Sequence, residues 1–189
     1  MSPFSDEVER AIETCLVAHH GQCRKGSEVP YAGHPFHVAL ILARLGADDA
    51  TVQAALLHDV VEDCEGWDRE RIVEHFGADV AELVAQLTED KTLSWEERKG
   101  AWIGRLASMD ERAVAVKAAD KLHNLSTLVR DLRAAAVPDE VWRRFKGGPE
   151  RTLEHSERLV EVLATRAPEP LAVALRASLV DLRALVSGS

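Results

Sequence analysis

Aromatic residues and cysteines are scarce in this chain of 189 residues. Aromatic side chains make up 5% of it, and no segment alternates apolar and polar residues as a half-buried β-strand does. The three cysteines have no CxxC spacing, which excludes a disulfide framework and a zinc ribbon. No apolar run is long enough to cross a bilayer, and the polar, acidic first residues are unlike a signal peptide. We therefore expect a protein of the reducing cytoplasm.

Basic residues are outnumbered by acidic ones. Lys and Arg number 23 and Asp and Glu number 32, which gives a formal charge of −9. Because such a surface would repel phosphates over most of its area, we expect no nucleic-acid partner and no membrane partner. A small phosphorylated ligand is still allowed where a local basic or metal-containing pocket holds it. The GxSxG, Walker, GxGxxG and HExxH motifs are also missing, which argues against the chemistries that they serve.

The dominant period of the sequence is that of an α-helix. Apolar residues recur three and four positions apart, as they do from Val114 through Ala118 to Leu132. The pattern predicts helices at residues 5–20, 35–46, 49–63, 68–76, 78–87, 95–109, 111–135, from 138 onward, 150–166 and 169–186. The length and the 46% of apolar residues indicate a single all-helical domain. We place this domain at residues 1–167 and assign residues 168–189 to a C-terminal helix that packs on it or forms an oligomer contact.

Two histidines and two aspartates are the strongest candidates for chemistry: His34, the adjacent His58 and Asp59, and Asp120. His34, the His58–Asp59 pair and Asp120 lie far apart in sequence, so they would come from different helices or helix starts, as ligands of metal sites in helical bundles do. A mixed set of imidazoles and carboxylates suits Mn, Fe or Zn better than Ca. The alternative for His58 and Asp59 is a structural hydrogen-bonded pair.

Acidic residues crowd the end of the predicted helix 49–63. Glu62 lies one helical turn from both His58 and Asp59, and Asp63 lies one turn from Asp59. The helix macrodipole disfavours negative charge at this end, and a bound cation would offset the repulsion. The alternative is a solvated helix end whose carboxylates face water.

Two further groups of polar residues could serve an anionic ligand. Lys117, Asp120 and Asn124 are spaced three and four positions apart and share one helix face, which would suit a metal ion together with phosphate. Arg24 and Lys25 stand in the loop before the second predicted helix and could reach an anion there. For both groups the alternative is a polar surface that contacts only water.

A series of motifs covers about residues 8–165. They are A-H-x-G-Q-x-R-K (18–25), P-Y-x-x-H-P-x-x-V-A (30–39), A-A-L-L-H-D-V-V-E-D (54–63), F-G-x-x-V-x-x-L-V (76–84), T-x-D-K (88–91), E-R-K (97–99) and K-x-A-D-K-L-H-N (117–124). The series resembles the HD-domain metal-dependent phosphohydrolases. It is most similar to the hydrolase domain of RelA/SpoT proteins and to the small alarmone hydrolases, which include the metazoan SpoT homologue.

This resemblance implies a fold, a metal and a reaction. The fold is the all-helical HD-domain bundle, and the metal is one Mn²⁺ per chain, or another divalent transition metal, held by His34, His58, Asp59 and Asp120. The reaction removes the 3′-pyrophosphate from the alarmones ppGpp or pppGpp and yields GDP or GTP, as in the stringent response. The partner is then a small nucleotide, and a homo-oligomer is allowed. The synthetase and regulatory domains of long RelA/SpoT proteins are missing, so we expect hydrolysis without synthesis.

The resemblance also implies roles around the metal. Glu62 and Asp63 match a Glu-Asp pair that positions or activates the attacking water. Arg24 and Lys25 help to hold the nucleotide, and Asn124 contacts its sugar or base. We therefore expect substrate binding by Arg24, Lys25, Lys117 and Asn124.

Two segments depart from the family pattern. The chain has Glu89 where an aspartate is expected, and residues 153–156 read Leu-Glu-His-Ser where many small relatives carry aromatic residues. Both departures bear on the substrate. The alternatives are an HD phosphatase acting on ppApp, NADPH or a nucleoside monophosphate, and a non-catalytic nucleotide-binding module.

Overall fold

The computed structural model describes residues 5–187, apart from the side chains of Trp95, Glu96 and Lys99. Within this range ten helices follow one another. They are α1 (Asp6–Ala18), α2 (Gly33–Arg44), α3 (Asp49–Leu57), α4 (Val60–Asp63), α5 (Arg69–Leu87), α6 (Trp95–Leu106), α7 (Glu111–Ala134), α8 (Pro138–Trp142), α9 (Gly148–Arg166) and α10 (Glu169–Ser187). No strand occurs among residues 5–187, which confirms the predicted all-helical class. The side chain of Lys99, the last residue of the E-R-K motif, lies outside the described residues.

Side-chain caps explain where several helices begin. The side chains of Ser5, Asp48 and Asp68 each accept a hydrogen bond from a backbone N–H in the first turn of the helix that follows. Ser94 and Glu97 form a reciprocal capping box at the start of α6. These contacts satisfy N–H groups that the first turn of a helix leaves without a partner.

The predicted helix 49–63 is broken at His58 and Asp59, which form a turn between α3 and α4. The ring Nδ1 of His58 lies 2.7 Å from the carbonyl oxygen of Ala55, an oxygen that a continuous helix reserves for a backbone N–H. Asp59 has φ −99° and ψ −7°, at the edge of the helical region. The break turns these two side chains toward the centre of the bundle.

A second helix break, at Gly77, was predicted from the sequence and is present. The sequence predicts separate helices before and after Gly77, and this glycine interrupts α5 with φ 84° and ψ 169°. Such a conformation is accessible to glycine because it has no Cβ. The segment after the break buries Val80, Leu83 and Val84 in the core.

The long helix α7 lies in the middle of the bundle and packs against α2, α3, α5, α9 and α10. Its predicted apolar stripe is buried at Val114, Ala118 and Leu125 and at Val129 and Leu132, and Leu122 is partly buried against the same core. A face offset from this stripe carries the polar residues Lys117, Asp120 and Asn124. Among residues 5–187, no helix is both long enough and apolar enough to span a membrane.

The last helix, α10, packs against α7 and α9. Leu171, Leu175 and Leu182 are its buried contacts, with at most 2% of their surface exposed. The division of the chain between 1–167 and 168–189 stays a prediction, and residues 1–4 and 188–189 of these ranges lie outside the described part.

Candidate metal centre and active site

Four side chains from three parts of the fold meet in one buried cluster: His34 from α2, His58 and Asp59 from the turn after α3, and Asp120 from α7. The Nε2 atom of His34 lies 3.2 Å from Oδ1 of Asp120 and 3.7 Å from Oδ2 of Asp59. The Nε2 atom of His58 lies 3.2 Å from the same Oδ2. Potential ligand atoms of His34, His58 and Asp120 fall within 4.8 Å of one another, so these three residues could hold one metal ion.

The chemistry of His58 fits a metal ligand. Its Nδ1 contacts the carbonyl of Ala55, so Nδ1 carries the proton and Nε2 is directed at the carboxylates. This Nε2 atom is buried and makes no well-formed hydrogen bond within the described part of the chain, although the Asp59 carboxylate is close. A buried polar atom without a hydrogen bond is costly, and a bound cation would supply the missing partner.

The second histidine is held in the same manner. Nδ1 of His34 lies 2.7 Å from Nδ1 of His123, so one ring donates to the other and Nε2 of His34 stays directed at Asp120. The ring of His123 in turn packs on that of His37, with 4.7 Å between centroids. His123 is thus in direct contact with a candidate ligand.

The electrostatics of the cluster call for positive charge. Burial alone would lower the pKa of His58, but the carboxylates of Asp59 and Asp120 outweigh it and raise the pKa to about 9. Burial would raise the pKa of Asp59, yet neighbouring His58 holds it well below its usual range. Burial also opposes ionisation of Asp120, whose pKa is lowered by Lys117 and His34. Two buried carboxylates therefore stay ionised. Lys117 balances Asp120, and a proton on His58 or a metal ion would supply the remaining positive charge.

The phenol of Tyr31 orients one ligand. Its hydroxyl donates a 2.6 Å hydrogen bond to Oδ2 of Asp59. Burial first, and then the charge of Asp59, strongly raise the pKa of Tyr31, so the hydroxyl remains a donor. Tyr31 is the single tyrosine of the chain and stands in the P-Y-x-x-H-P motif, which was the only sequence signal for this contact.

The polar face of α7 converges on Asp120. Nζ of Lys117 lies 3.0 Å from Oδ2 of Asp120, and the Asn124 amide donates to Oδ1. Nη2 of Arg24 donates to the amide oxygen of Asn124 at 2.8 Å, which brings the loop before α2 to the edge of the cluster. Lys25 is exposed, and no contact among the described residues joins it to the cluster. Three of the four expected substrate-binding residues are therefore assembled around Asp120.

The carboxylates of Glu62 and Asp63 are each held by the segment that follows α5. A carboxylate oxygen of Glu62 accepts a 3.2 Å hydrogen bond from the backbone N–H of Glu89, and Oδ1 of Asp63 lies 2.6 Å from Nζ of Lys91. Burial, opposed by the hydrogen bond from Glu89, raises the pKa of Glu62. A carboxylate with a raised pKa is a better proton acceptor near neutral pH.

Trp102 is a site residue for which the sequence carries no signal. Its Nε1 donates a 2.7 Å hydrogen bond to the Glu89 carboxylate, and Nζ of Lys117 lies 4.1 Å from the centre of its ring. One tryptophan thereby links the segment that holds Glu62 to the lysine that holds Asp120. Such contacts between distant segments are invisible to a pattern confined to one helix.

Residues 11–146 match the sequence model of the HD domain. This chain belongs to the HD-domain family. Two relatives carry more detailed names. MESH1 of Xenopus tropicalis, a guanosine-3′,5′-bis(diphosphate) 3′-pyrophosphohydrolase, is 46% identical over 133 residues, which cover 69% of this chain and 74% of that protein. An enzyme of the same description from Vibrio cholerae is 43% identical over 132 residues, but the match spans only 18% of that longer protein.

Solved structures agree with this assignment to the HD-domain family. The structure of a metazoan SpoT orthologue that hydrolyses ppGpp superposes with a TM-score of 0.79 at 32% identity, over 94% of this chain and 96% of the other. A Listeria monocytogenes protein superposes with a TM-score of 0.70 at 32% identity, over 82% of this chain and 99% of the other. The HD-domain protein described here is therefore a hydrolase by family, and its predicted bundle fold is confirmed.

Proposed function

We propose that this HD-domain protein is a metal-dependent 3′-pyrophosphohydrolase of ppGpp and pppGpp. The observation that carries the proposal is the buried meeting of His34, His58, Asp59 and Asp120, because buried carboxylates and imidazoles need compensating charge and a metal ion would supply it. The names of the relatives add the substrate class, since MESH1 and the Vibrio cholerae enzyme are both described as ppGpp pyrophosphohydrolases.

The four side chains would hold one Mn²⁺, which their mixture of nitrogen and oxygen donors suits. When bound, this metal would polarise a phosphoryl oxygen and lower the pKa of a nearby water. The protein's own contribution is to keep the donors aimed inward. The Ala55 carbonyl orients His58, and the Tyr31 hydroxyl orients Asp59.

Glu62 and Asp63 lie at the end of α4, one turn after the Asp59 ligand, and we assign to them the handling of the water proton. In the proposed reaction the water oxygen bonds to the phosphorus carried by the 3′ oxygen. The bond between that phosphorus and the 3′ oxygen breaks. A carboxylate of the pair takes one proton from the water, and a proton is returned to the leaving 3′ oxygen, so that the products are GDP or GTP and pyrophosphate.

Basic residues next to the cluster would balance the substrate phosphates. Lys117 forms an ion pair with Asp120, so its charge would act on this candidate metal ligand as well as on the substrate phosphates. Arg24 and Asn124 form a bonded pair at the rim, where a nucleotide could exchange contacts with them. Lys25 stands exposed beside Arg24. We assign to these four residues the binding of the nucleotide in an otherwise acidic protein.

A substrate panel tests the proposal. Purified protein with added Mn²⁺ is offered ppGpp, pppGpp, ppApp, NADPH and nucleoside monophosphates, and pyrophosphate and orthophosphate are measured separately. We expect pyrophosphate from ppGpp and pppGpp. Orthophosphate from NADPH or a monophosphate would indicate the phosphatase alternative, and cleavage of ppApp in preference to ppGpp would indicate an adenine alarmone. Binding without turnover for every metal would indicate a non-catalytic module.

We further propose that the protein works in the cytoplasm on a small nucleotide, without a nucleic-acid or membrane partner. Its formal charge of −9 supports the absence of these two partners, because an acidic surface repels nucleic acids and anionic membranes. Association into a homo-oligomer stays a prediction, which light scattering of the purified protein can check.

A further inference from the structure

The last carbonyl groups of α4 (Val60–Asp63) have no partner within the helix, as at the end of any α-helix. Two side chains from distant parts of the chain do so instead. Nζ of Lys91 donates to the carbonyl of Glu62, and the side-chain amide of Gln22 donates to the carbonyl of Asp63 at 3.0 Å. These two carbonyl groups belong to Glu62 and Asp63, the residues to which the proposed function assigns the handling of the water proton.

Gln22 is set in one orientation by a buried histidine. Nδ1 of His19 lies 2.8 Å from Oε1 of Gln22, and His19 is only 2% exposed. Since the amide oxygen can only accept, the ring N–H donates to it, and the amide NH₂ is left to point at Asp63. The contact is thus a directed chain of hydrogen bonds from His19, the residue after α1, through Gln22 to the end of α4.

Lys91 makes a second contact with the same helix end. Its ammonium lies 2.6 Å from Oδ1 of Asp63, while the neighbouring Glu89 N–H binds the Glu62 carboxylate. Glu89 is itself fixed, because its carboxylate accepts from Trp102 and lies 3.1 Å from Nε of Arg98. Both carboxylates and both terminal carbonyls of α4 are therefore held from outside the helix.

We propose that Lys91 and Gln22 are positioning residues, which hold the end of α4 so that the Glu62 and Asp63 carboxylates face the metal centre. This inference rests on the proposed function. The Lys91–Asp63 pair is partly exposed, at 50% and 36% of the two side chains, and ion pairs of this kind add little to stability. A catalytic group misplaced by about 1 Å, in contrast, can cost roughly 100-fold in rate.

The competing role for Lys91 is direct binding of a substrate phosphate. That role would place the loss in KM, because a contact made equally in the ground state and the transition state leaves kcat unchanged. A positioning role places the loss in kcat. The two roles are therefore separable by steady-state kinetics on ppGpp.

The test compares Lys91→Met with Lys91→Arg and with a matched control. For Lys91→Met we expect kcat to fall about 10-fold to 100-fold, with KM, the Mn²⁺ dissociation constant and the melting temperature nearly unchanged. Lys91→Arg keeps a donor and should recover part of kcat. The control is Arg69→Gln, which removes a comparably exposed pair with Glu82 on α5 and should leave all four quantities unchanged.

A double substitution asks whether Lys91 acts through Asp63. If it does, Lys91→Met should cause no further loss of kcat in an Asp63→Asn background. Gln22→Leu provides an independent variant, with the same expected loss in kcat and an unchanged Mn²⁺ dissociation constant.

Three results would overturn the positioning role: unchanged kcat in Lys91→Met, a loss confined to KM, or full additivity with Asp63→Asn. Each leaves the proposed function standing, because wild-type protein would still release pyrophosphate. A wild-type protein that binds Mn²⁺ but releases no pyrophosphate from ppGpp would instead refute the proposed function, and the inference with it.

Discussion

The two parts of α7 do different work on one continuous helix. The N-terminal part, up to Asn124, carries Lys117, Asp120 and Asn124, which are joined to one another by hydrogen bonds at the candidate metal centre. The C-terminal part buries Leu128 and Leu132 in the core. On its exposed side, one serine and one arginine of α7 contact side chains of α10. Buried polar groups need specific partners, whereas apolar groups need only close packing. Substitutions in the two parts of α7 should therefore impair the protein in different ways.

The largest effect is expected at Asp120. Asp120→Ala removes a candidate ligand, and without the metal the reaction loses several kcal/mol of stabilisation. We expect kcat on ppGpp to fall at least about 1000-fold, which corresponds to roughly 4 kcal/mol. Isothermal titration with Mn²⁺ should show weakened binding in the same variant. An unchanged Mn²⁺ affinity in this variant would show that Asp120 is not a metal ligand. The two parts of α7 would then not differ in the way described above.

The next effect belongs to the apolar side of the comparison. Leu175→Ala in α10 opens a cavity where α10 packs against α7 and α9, and should destabilise the fold by about 2–5 kcal/mol. Urea denaturation measures this loss. At a temperature where the variant stays folded, its Mn²⁺ affinity should equal that of wild type. A change in metal affinity would show that the two parts are coupled.

A smaller effect concerns the pH dependence of metal binding. In the metal-free protein the raised pKa of His58, about 9, means that the proton stabilises the fold fully below about pH 6.5 and that this contribution is lost as pH rises toward 9. Mn²⁺ must displace this proton, so its affinity should rise by up to about tenfold per pH unit across this window. Calorimetry at pH 7 and pH 8 in two buffers would detect the released proton, and a flat profile would contradict it.

The smallest effect lies near the middle of α7. Nζ of Lys121 on α7 lies 2.9 Å from the hydroxyl of Ser156 on α9, which is fully buried. Ser156→Ala should cost about 1 kcal/mol, the usual net value of such a hydrogen bond. Thermal unfolding measures it, with Ser126→Ala at the exposed contact to Ser178 as the control. A loss as large as that of Leu175→Ala would contradict the assignment of this contact as an ordinary buried hydrogen bond.

The helices and the candidate ligands were accessible to sequence analysis, because helical periodicity and an His-Asp pair after an apolar run are local signals. The helix break at His58 and Asp59 was not predicted, since a side chain that competes with the backbone for a carbonyl oxygen does not change the helical spacing of the apolar residues. The partners Tyr31 and Gln22 were missed as well. Their contacts join segments that are distant in the chain, and such contacts depend on packing.

The arrangement of the candidate ligands bears on how the chain folds. One donor comes from α2, two adjacent donors come from the turn after α3, and the fourth comes from α7. A cation bound by these residues would act as a reversible cross-link. It would close two long loops of the polypeptide, from His34 to His58 and from Asp59 to Asp120, and closing such loops costs conformational entropy. Acquisition of the ion and collapse of the chain would then reinforce each other.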